Sequence, residues 1–184
     1  MRCFIAAELP PETKAGAGLL VEPLIRTIAG ARPSDPAAMH FTLRFLGEIG
    51  EGEAAVIGSA LAALAGFGAF PITLQGLGAF PRPEAARVLW TGVEEPGAEK
   101  LCALARLASA AVDSIKPGQN EDRPYVPHVT LARFRTPANL VQIELFNRAR
   151  ETVMGACSIG TVILFRSHLR PAGAEYEPLR EVSL

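Results

Sequence analysis

The sequence predicts an α+β fold in which a single domain carries an internal duplication. Candidate strands and helices alternate, but hairpins and mixed connections interrupt the alternation, which favours antiparallel pairing over a doubly wound parallel sheet. A four-residue pattern, His-x-Thr-Leu, occupies residues 40–43 and recurs at 128–131, in the opposite half of the chain. The 184 residues suffice for one sizeable core, or for two small lobes that share one. We therefore expect one domain over 1–184, with pseudo-twofold symmetry and one motif in each half.

The first half of the chain has the patterns of two strands and two helices. An apolar run that stops at paired prolines predicts a strand over 2–9. Apolar residues near helical spacing predict helices over 12–29 and 51–65. A loop with two prolines at 31–39 leads the chain into a strand at 40–46, which carries the first motif.

The second half begins with a hairpin and then repeats the loop-to-motif arrangement. Two strands flank the turn Pro81-Arg82-Pro83, and a polar, proline-containing loop again precedes the motif strand. Proline at a first helical turn is favourable, so a helix is predicted to begin at Pro137. The predicted elements are strands at 70–80 and 86–93, a helix from 96 to about 112 or 115, a loop at 116–127, a strand from 128, a helix over 137–150, and strands over 152–167 and 176–184.

Composition excludes several classes of protein. Three scattered cysteines form neither a disulfide framework nor a zinc-ligand pattern, so we expect free thiols and no metal. The apolar run before Glu8 is too short for a secretion signal, and no segment is suited to a bilayer, which predicts a cytoplasmic protein with no membrane partner. Net charge is −1, yet 15 of the 18 basic residues are arginines. Guanidinium groups match phosphate oxygens bidentately, although an arginine-rich genome would produce the same bias.

The repeated motif places two imidazoles and two hydroxyls on polar strand faces. Because alternate side chains of a strand share a face, His40 and Thr42 point one way and the apolar residues between and after them point the other. His128 and Thr130 repeat the arrangement. A single His-x-Thr is usually a half-buried residue with a satisfied hydrogen bond, but the duplication favours a functional pair. Two imidazoles can deprotonate one oxygen and protonate another, and hydroxyls can bind an anion, which suggests phosphodiester chemistry.

Other residues are weaker candidates for the site. Strict alternation puts Arg44 on the face of His40, whereas Arg133 faces away from His128 unless the strand ends or bulges there. Tyr125 and Phe45 have rings that could stack on a base, with packing as the alternative role. His168 has no such motif around it and is expected at the surface or at a strand end.

At these residues the sequence resembles the 2H phosphoesterase superfamily, which is named for its two His-x-Thr/Ser motifs. Within it, the chain is most similar to the RNA 2′,3′-cyclic phosphodiesterases, also called 2′-5′ RNA ligases. The resemblance covers almost the whole chain, and it includes the arginine that follows the second motif. The matching segments are residues 4–6 with 9–10, 40–47, 76–81, 87–90, 127–133, and 167 with 173–176.

This resemblance implies a bilobal α+β fold in which two antiparallel sheets flank a central cleft and helices lie outside. The implied reaction is hydrolysis of RNA 2′,3′-cyclic phosphate to a 2′-phosphomonoester, with no cofactor and no metal. His40 would be the proton donor and His128 the proton acceptor, with Thr42, Thr130 and Arg133 binding phosphate. The implied partners are RNA 3′ ends, tRNA fragments among them, or nucleotides, and the protein is expected to be a monomer.

Three functions stay open at this point. The family resemblance also allows ligation, or cleavage of 2′-5′-linked or small cyclic nucleotides, because leaving-group recognition would depend on the loops at 31–39 and 116–127. A non-catalytic RNA-end binding protein could use the same cleft. Paired imidazoles with pKa values near 6–7 would distinguish an enzyme by a bell-shaped pH dependence of kcat/KM.

Overall fold

The computed structural model describes residues 1–116, 124–170 and 173–184. Much of the predicted loop at 116–127 therefore lies outside the described residues. The described elements are strands β1 (Arg2–Glu8), β2 (Ala31–Pro33), β3 (His40–Glu48), β4 (Phe70–Phe80), β5 (Ala86–Val93), β6 (Val129–Ala138), β7 (Val153–Ile159), β8 (Thr161–Arg170) and β9 (Gly173–Ser183), and helices α1 (Pro11–Arg26), α2 (Glu51–Ala60), α3 (Gly97–Asp113) and α4 (Glu144–Ala149).

The described strands form one antiparallel sheet with two arms. Its order is β7-β4-β5-β6-β3-β1-β8-β9, and the short β2 pairs with β6. Among the described residues, β3 and β6 are joined by one residue pair, Phe41 with Val129. We call the strands β3, β1, β8 and β9 the His40 arm, and β6, β5, β4, β7 and β2 the His128 arm. The predicted α+β class is confirmed, and the two expected sheets are the two arms of this sheet.

Helices cover one face of both arms and leave the other face for the motif residues. Helix α1 packs against β7, β2 and β6, and α3 packs against β3 and β4. Phe41 and Leu131, next to the motif threonines, are fully buried on that helix-covered face. The opposite face of the His40 arm carries a small separate cluster of Phe4, Ala6, Ile163 and Phe165, with Tyr176 packed on it. We call the space bordered by this opposite face of the two arms the cleft.

Two predicted elements differ from the structure. The segment predicted as a loop at 31–39 contains β2 and a single 3-10 turn at Pro36–Ala38, because Ala31 and Pro33 pair with β6. The predicted helix over 137–150 is wrong over its first half. Strand β6 continues to Ala138, where it pairs with Ala86, and only Glu144–Ala149 is α-helical. Cross-strand pairing, which local propensity does not register, outweighs the helix-start signal of proline.

None of the helices in the described part of the chain combines the length and the hydropathy that a bilayer crossing requires.

Candidate active site

The residue pair that joins the two arms, Phe41 with Val129, also sets the relative positions of the two motifs. His40 is the first residue of β3, and His128 directly precedes β6. Phe41 is opposite Val129, so continuing this antiparallel register by one residue sets His40 against Thr130 and Thr42 against His128. All four side chains alternate with buried apolar neighbours and are half-buried. The sheet thus brings two imidazoles and two hydroxyls to one place, related by a local twofold axis.

Both imidazoles are held by the same local hydrogen bond. Nδ1 of His40 donates to the carbonyl oxygen of Ala38 at 2.8 Å, and Nδ1 of His128 donates to that of Val126 at 2.8 Å. A carbonyl oxygen can only accept, so Nδ1 carries a proton in each ring. In the neutral form Nε2 is then the basic atom, and it is the atom of each ring that can exchange a proton with a ligand.

Thr42 contacts Nε2 of the histidine in its own motif. Its Oγ1 lies 3.0 Å from Nε2 of His40. While that ring is neutral, the hydroxyl donates to Nε2. When Nε2 carries a proton, the hydroxyl becomes an acceptor and its own proton is free for a bound oxygen. The direction of this hydrogen bond therefore depends on whether Nε2 of His40 carries a proton.

Aromatic side chains form a wall around each imidazole. His40 stacks on Phe4, with ring centroids 4.8 Å apart, and meets Tyr176 edge-on at 5.3 Å. His128 meets Phe80 edge-on at 4.9 Å and lies 6.0 Å from Trp90. The rings restrict both histidines and exclude water from their flanks. The two sites use different strands, β1 and β9 for His40 and β4 and β5 for His128.

This enclosure lowers the pKa of both histidines. Burial lowers the pKa of His40 from 6.5 to about 4, against the hydrogen bond to Ala38, and the charges of Lys14, His128 and Arg133 lower it further. Burial also lowers the pKa of His128, again with a contribution from Arg133. The expectation of values near 6–7 is therefore wrong for His40. Its ring is neutral in the free protein at neutral pH.

A β-bulge overturns the placement of Arg44. Ile5 of β1 pairs with Arg44 and Ala6 pairs with Thr42, which leaves Leu43 as an extra residue in β3. Beyond it the alternation is inverted. Arg44 turns to the helix-covered face, is 7% exposed, and its Nη2 donates to Asp113 Oδ1 of α3 at 2.9 Å. The prediction that Arg44 shares the face of His40 is therefore wrong, and Phe45, 54% exposed, takes that place.

The same bulge in β6 brings Arg133 to the cleft. Leu89 pairs with Ala132 and Trp90 pairs with Thr130, so Leu131 is the extra residue. Arg133 is exposed, and its charge lowers the pKa of both imidazoles. Simple alternation fails at this strand, as the family resemblance implies. The two motif strands share the bulge at equivalent positions, so Arg133 in one arm corresponds to Phe45 in the other.

The remaining candidates, Tyr125 and His168, are placed elsewhere in the fold. Tyr125 packs against the main core, its hydroxyl is buried, and burial raises its pKa. The prediction of a substrate contact at Tyr125 is not supported by this position. Nε2 of His168 lies 2.8 Å from Glu177 Oε2, between β8 and β9. His168 is thus a residue of the outer strands, as the sequence predicts.

Sequence reasoning assigned no role to Trp90 and Gly78, which shape the wall beside His128. These residues are opposite each other in β5 and β4. The indole ring of Trp90 lies across Gly78, where a Cβ would come within 2.1 Å of it. The Nε1 of Trp90 is buried with no hydrogen-bond partner among the described residues. The segments that carry the family resemblance contain both residues, but only the cross-strand register reveals that they touch.

Replacing Gly78 with alanine is expected to displace the indole and destabilise the protein. Overpacking at a rigid contact typically costs about 1–3 kcal/mol, and the wall of His128 would move with the ring. The free energy of unfolding measures the first effect, and kcat measures the second. Gly52→Ala is the matched control because Gly52 is helical, exposed and without neighbours within 4 Å of the added Cβ. That control is expected to be neutral or stabilising. Equal stability of the two variants would contradict the packing argument.

A pocket of about 440 Å³ adjoins His40 in the cleft. Its lining combines apolar residues with four carboxylates. A larger groove of about 590 Å³ lies between α2 and β9 and includes neither motif histidine in its lining. The pocket beside His40 is therefore the better candidate for part of a substrate. Its lining includes Met39, Ile163, Phe165 and Tyr176 among the apolar residues, and the acids Glu8, Asp35, Glu175 and Glu181.

A two-armed antiparallel sheet with one His-x-Thr strand from each arm defines a phosphoesterase of the two-histidine class. The family profile described as "LigT like Phosphoesterase" matches residues 8–90. The chain is 34% identical over 178 residues to an RNA 2′,3′-cyclic phosphodiesterase of Methanothermobacter thermautotrophicus, covering 96% of this chain and 95% of that protein. It is also 34% identical to the Thermus thermophilus protein of the same name, over 100% of this chain and 90% of that one. The chain belongs to the LigT-like phosphoesterase family.

Solved structures share the fold along the whole chain. A Thermus thermophilus protein of known structure has a TM-score of 0.84 and 31% sequence identity, with 100% of this chain and 98% of that chain covered. Escherichia coli LigT, solved in complex with 3′-AMP, has a TM-score of 0.78 at 24% identity, with 100% and 97% covered. The two-armed sheet is thus the fold of this family.

Proposed function

We propose that the protein hydrolyses RNA 2′,3′-cyclic phosphate ends to 2′-phosphomonoesters. The observation that carries this proposal is the meeting of His40, Thr42, His128 and Thr130 around the Phe41–Val129 pair. Relatives of the same name along nearly the full length support the choice of substrate. In this proposal residues 1–184 act as one bilobal unit and as a monomer. The partners are RNA 3′ ends, tRNA fragments among them.

The proposed reaction moves one proton onto the protein and one off it. Nε2 of His128 takes a proton from water as the water oxygen bonds to phosphorus. The bond between phosphorus and the 3′ oxygen breaks, and Nε2 of His40 protonates that oxygen. The products are a 3′-hydroxyl and a 2′-phosphomonoester. Thr42 and Thr130 donate to the non-bridging oxygens, and Arg133 offsets their negative charge.

The lowered pKa values make anion binding part of the proposed mechanism. An acid with a pKa of about 4 holds little proton at neutral pH in the free protein. A bound phosphate is negative, so it favours the charged imidazolium and raises the pKa of the neighbouring ring. The substrate itself would then bring His40 to its protonated form. The protein would be poised as an acid only while the cleft is occupied.

The pH dependence of kcat/KM is expected to reach its maximum below pH 6.5. The reactive free enzyme holds a single proton on the two imidazoles, on His40 in the proposed roles. Because the pKa of each ring lies below 6.5, enzyme with one proton on the pair is most abundant below that pH. At higher pH the pair loses this proton, and kcat/KM falls about tenfold per pH unit. The maximum of kcat should lie at higher pH, because the bound phosphate raises both pKa values. Initial rates from about pH 4 to about pH 9 measure both profiles. A kcat/KM maximum at or above pH 7 would contradict the expected order.

Phosphorus NMR tests the proposed function directly. An oligonucleotide that ends in a 2′,3′-cyclic phosphate should give a 2′-phosphomonoester, and the reaction should persist in EDTA. A folded preparation that leaves the ring closed would exclude the proposal, as would a 3′-phosphate product. Binding of the oligonucleotide without any product over a long incubation would favour an RNA-end binding protein instead. Loss of activity with chelation would contradict the metal-independent mechanism.

A further inference from the structure

Two arginines lie side by side at the edge of the cleft. Arg32 of β2 is directly opposite Arg133 of β6. Opposed residues of an antiparallel pair share a face, and their Cβ atoms are about 4.5–5.5 Å apart. Since Arg133 faces the cleft, Arg32 does too. Strand β2 pairs with β6 beyond the point where β3 leaves it, so Arg32 lies where the arms separate.

The described part of the chain does not neutralise this pair. Like charges directly opposite each other in a sheet are destabilising. Both arginines are exposed, and no carboxylate of the described residues lies within 4.0 Å of either guanidinium. Anions bound at the two guanidinium groups would relieve the repulsion, and each could be bound bidentately.

The two arginines stand on different strands. Arg133 follows the second motif in β6, and its charge lowers the pKa of both imidazoles, whereas Arg32 is on the neighbouring strand β2. A phosphate that is held between the two histidines would reach Arg133, and the anion at Arg32 would be a different phosphate.

The pocket beside His40 is less suited to a phosphate chain than the arginine pair. It is lined by four carboxylates, of which Glu8 is paired with Lys14 and Glu175 with Arg170, and the other two are Asp35 and Glu181. Carboxylates repel phosphodiesters, so a nucleic-acid backbone would avoid this pocket. The charges of the described residues thus favour a backbone path past Arg32.

We propose that Arg32 binds a backbone phosphodiester upstream of the terminal nucleotide, so that the enzyme prefers an RNA end to a cyclic mononucleotide. This inference rests on the proposed function and adds to it a residue that selects the substrate. Apart from its terminal cyclic phosphate, such an RNA 3′ end has phosphates only on the 5′ side of its last nucleoside, so any second phosphate is an upstream one. A nucleoside 2′,3′-cyclic monophosphate has none.

Two substrates with the same last nucleoside distinguish binding of an upstream phosphate by Arg32 from a general contribution of Arg32 to the reaction. The first is a nucleoside 2′,3′-cyclic monophosphate, and the second is a trinucleotide that ends in the same cyclic phosphate. For Arg32→Ala we expect kcat/KM on the trinucleotide to fall about tenfold and kcat/KM on the mononucleotide to fall less than about threefold. The dependence of log KM for the trinucleotide on log salt should become shallower by about 0.7, the value for one phosphate contact on a single strand.

Matched variants exclude folding and net charge as causes. Arg106→Ala removes the same charge from the exposed surface of α3, behind the sheet, and should change neither substrate. Arg32→Gln keeps a polar side chain and removes the charge, and its melting temperature checks that β2 still pairs with β6. Equal losses on the two substrates, or no loss on the trinucleotide, would overturn the role of Arg32 while the proposed function stands. Wild-type protein that opens neither ring would overturn the proposed function and this inference together.

Discussion

Replacing either His40 or His128 with alanine is expected to lower kcat on a cyclic-phosphate end by about 10²- to 10⁴-fold. Each ring carries one of the two proton transfers in the proposed reaction, and no other imidazole of the described residues lies in the cleft. Folding should survive both changes, because each ring is half-buried and its Nδ1 bonds only to a carbonyl two residues earlier.

The third histidine provides the control for this prediction. His168→Ala removes an imidazole that bonds to Glu177 on the outer strands, and kcat should be unchanged. Single-turnover rates and melting temperatures should be measured on all three variants. Near wild-type turnover by His40→Ala or by His128→Ala would contradict the paired acid–base mechanism, provided that the variant is folded.

A modified leaving group can identify which histidine is the proton donor. A cyclic substrate in which sulfur replaces the 3′ oxygen releases a thiolate, which needs no proton in the transition state. Under the proposed roles, this substrate should restore the rate of His40→Ala but not that of His128→Ala. In the free protein the pKa of His40 is the one that falls to about 4, which makes its protonated form scarce and the experiment informative. Recovery of His128→Ala alone would reverse the two roles.

Replacing Arg133 with alanine is expected to lower kcat/KM by about 10²- to 10³-fold, the usual effect of removing a group that stabilises developing negative charge. The same change is also expected to shift the pH at which kcat/KM is maximal. The charge of Arg133 lowers the pKa of both imidazoles, so its removal lets both rise. The maximum of kcat/KM should therefore move to higher pH while its height falls.

Arg133→Lys and Arg106→Ala complete this test. Lysine keeps the charge and should keep the wild-type pH maximum, but it loses the bidentate geometry and part of the rate. Arg106→Ala changes net charge without touching the cleft and should leave both quantities unaltered. An Arg133→Ala enzyme with a normal rate and a normal pH profile would place Arg133 outside the reaction.

Local pattern predicted much of the fold because many elements are encoded locally. The strands predicted at 70–80 and 86–93 have those bounds in the structure, because a turn with two prolines separates the two apolar runs. The helix that was predicted to run from 96 to about 112 or 115 ends at Asp113 in the structure, close to where the helical spacing of apolar residues stops. The predicted helix at 137–150 fails because pairing of Ala138 with Ala86 extends β6 through the proline.

The sequence predicted the features of the candidate site that depend on side-chain alternation along one strand. It did not predict those that depend on the register between two strands. His40 and Thr42 share a face because only one residue separates them. Arg44 and Arg133 exchange their expected faces because each motif strand has one extra residue relative to its partner, and that count is a property of two strands together. The wall formed by Trp90 over Gly78 and the pairing of Arg32 with Arg133 are cross-strand contacts of the same kind.

The sequence by itself determined that two His-x-Thr strands exist, that each has a polar and an apolar face, and that the chain resembles the 2H phosphoesterases. Only the tertiary structure decided that the strands meet at Phe41 and Val129, that a bulge turns Arg133 into the cleft and Arg44 out of it, and that His40 has a pKa of about 4. The physical reason is the range of the interactions. Side-chain alternation acts between neighbours in the chain, whereas register, burial and electrostatic coupling depend on residues that only folding brings together.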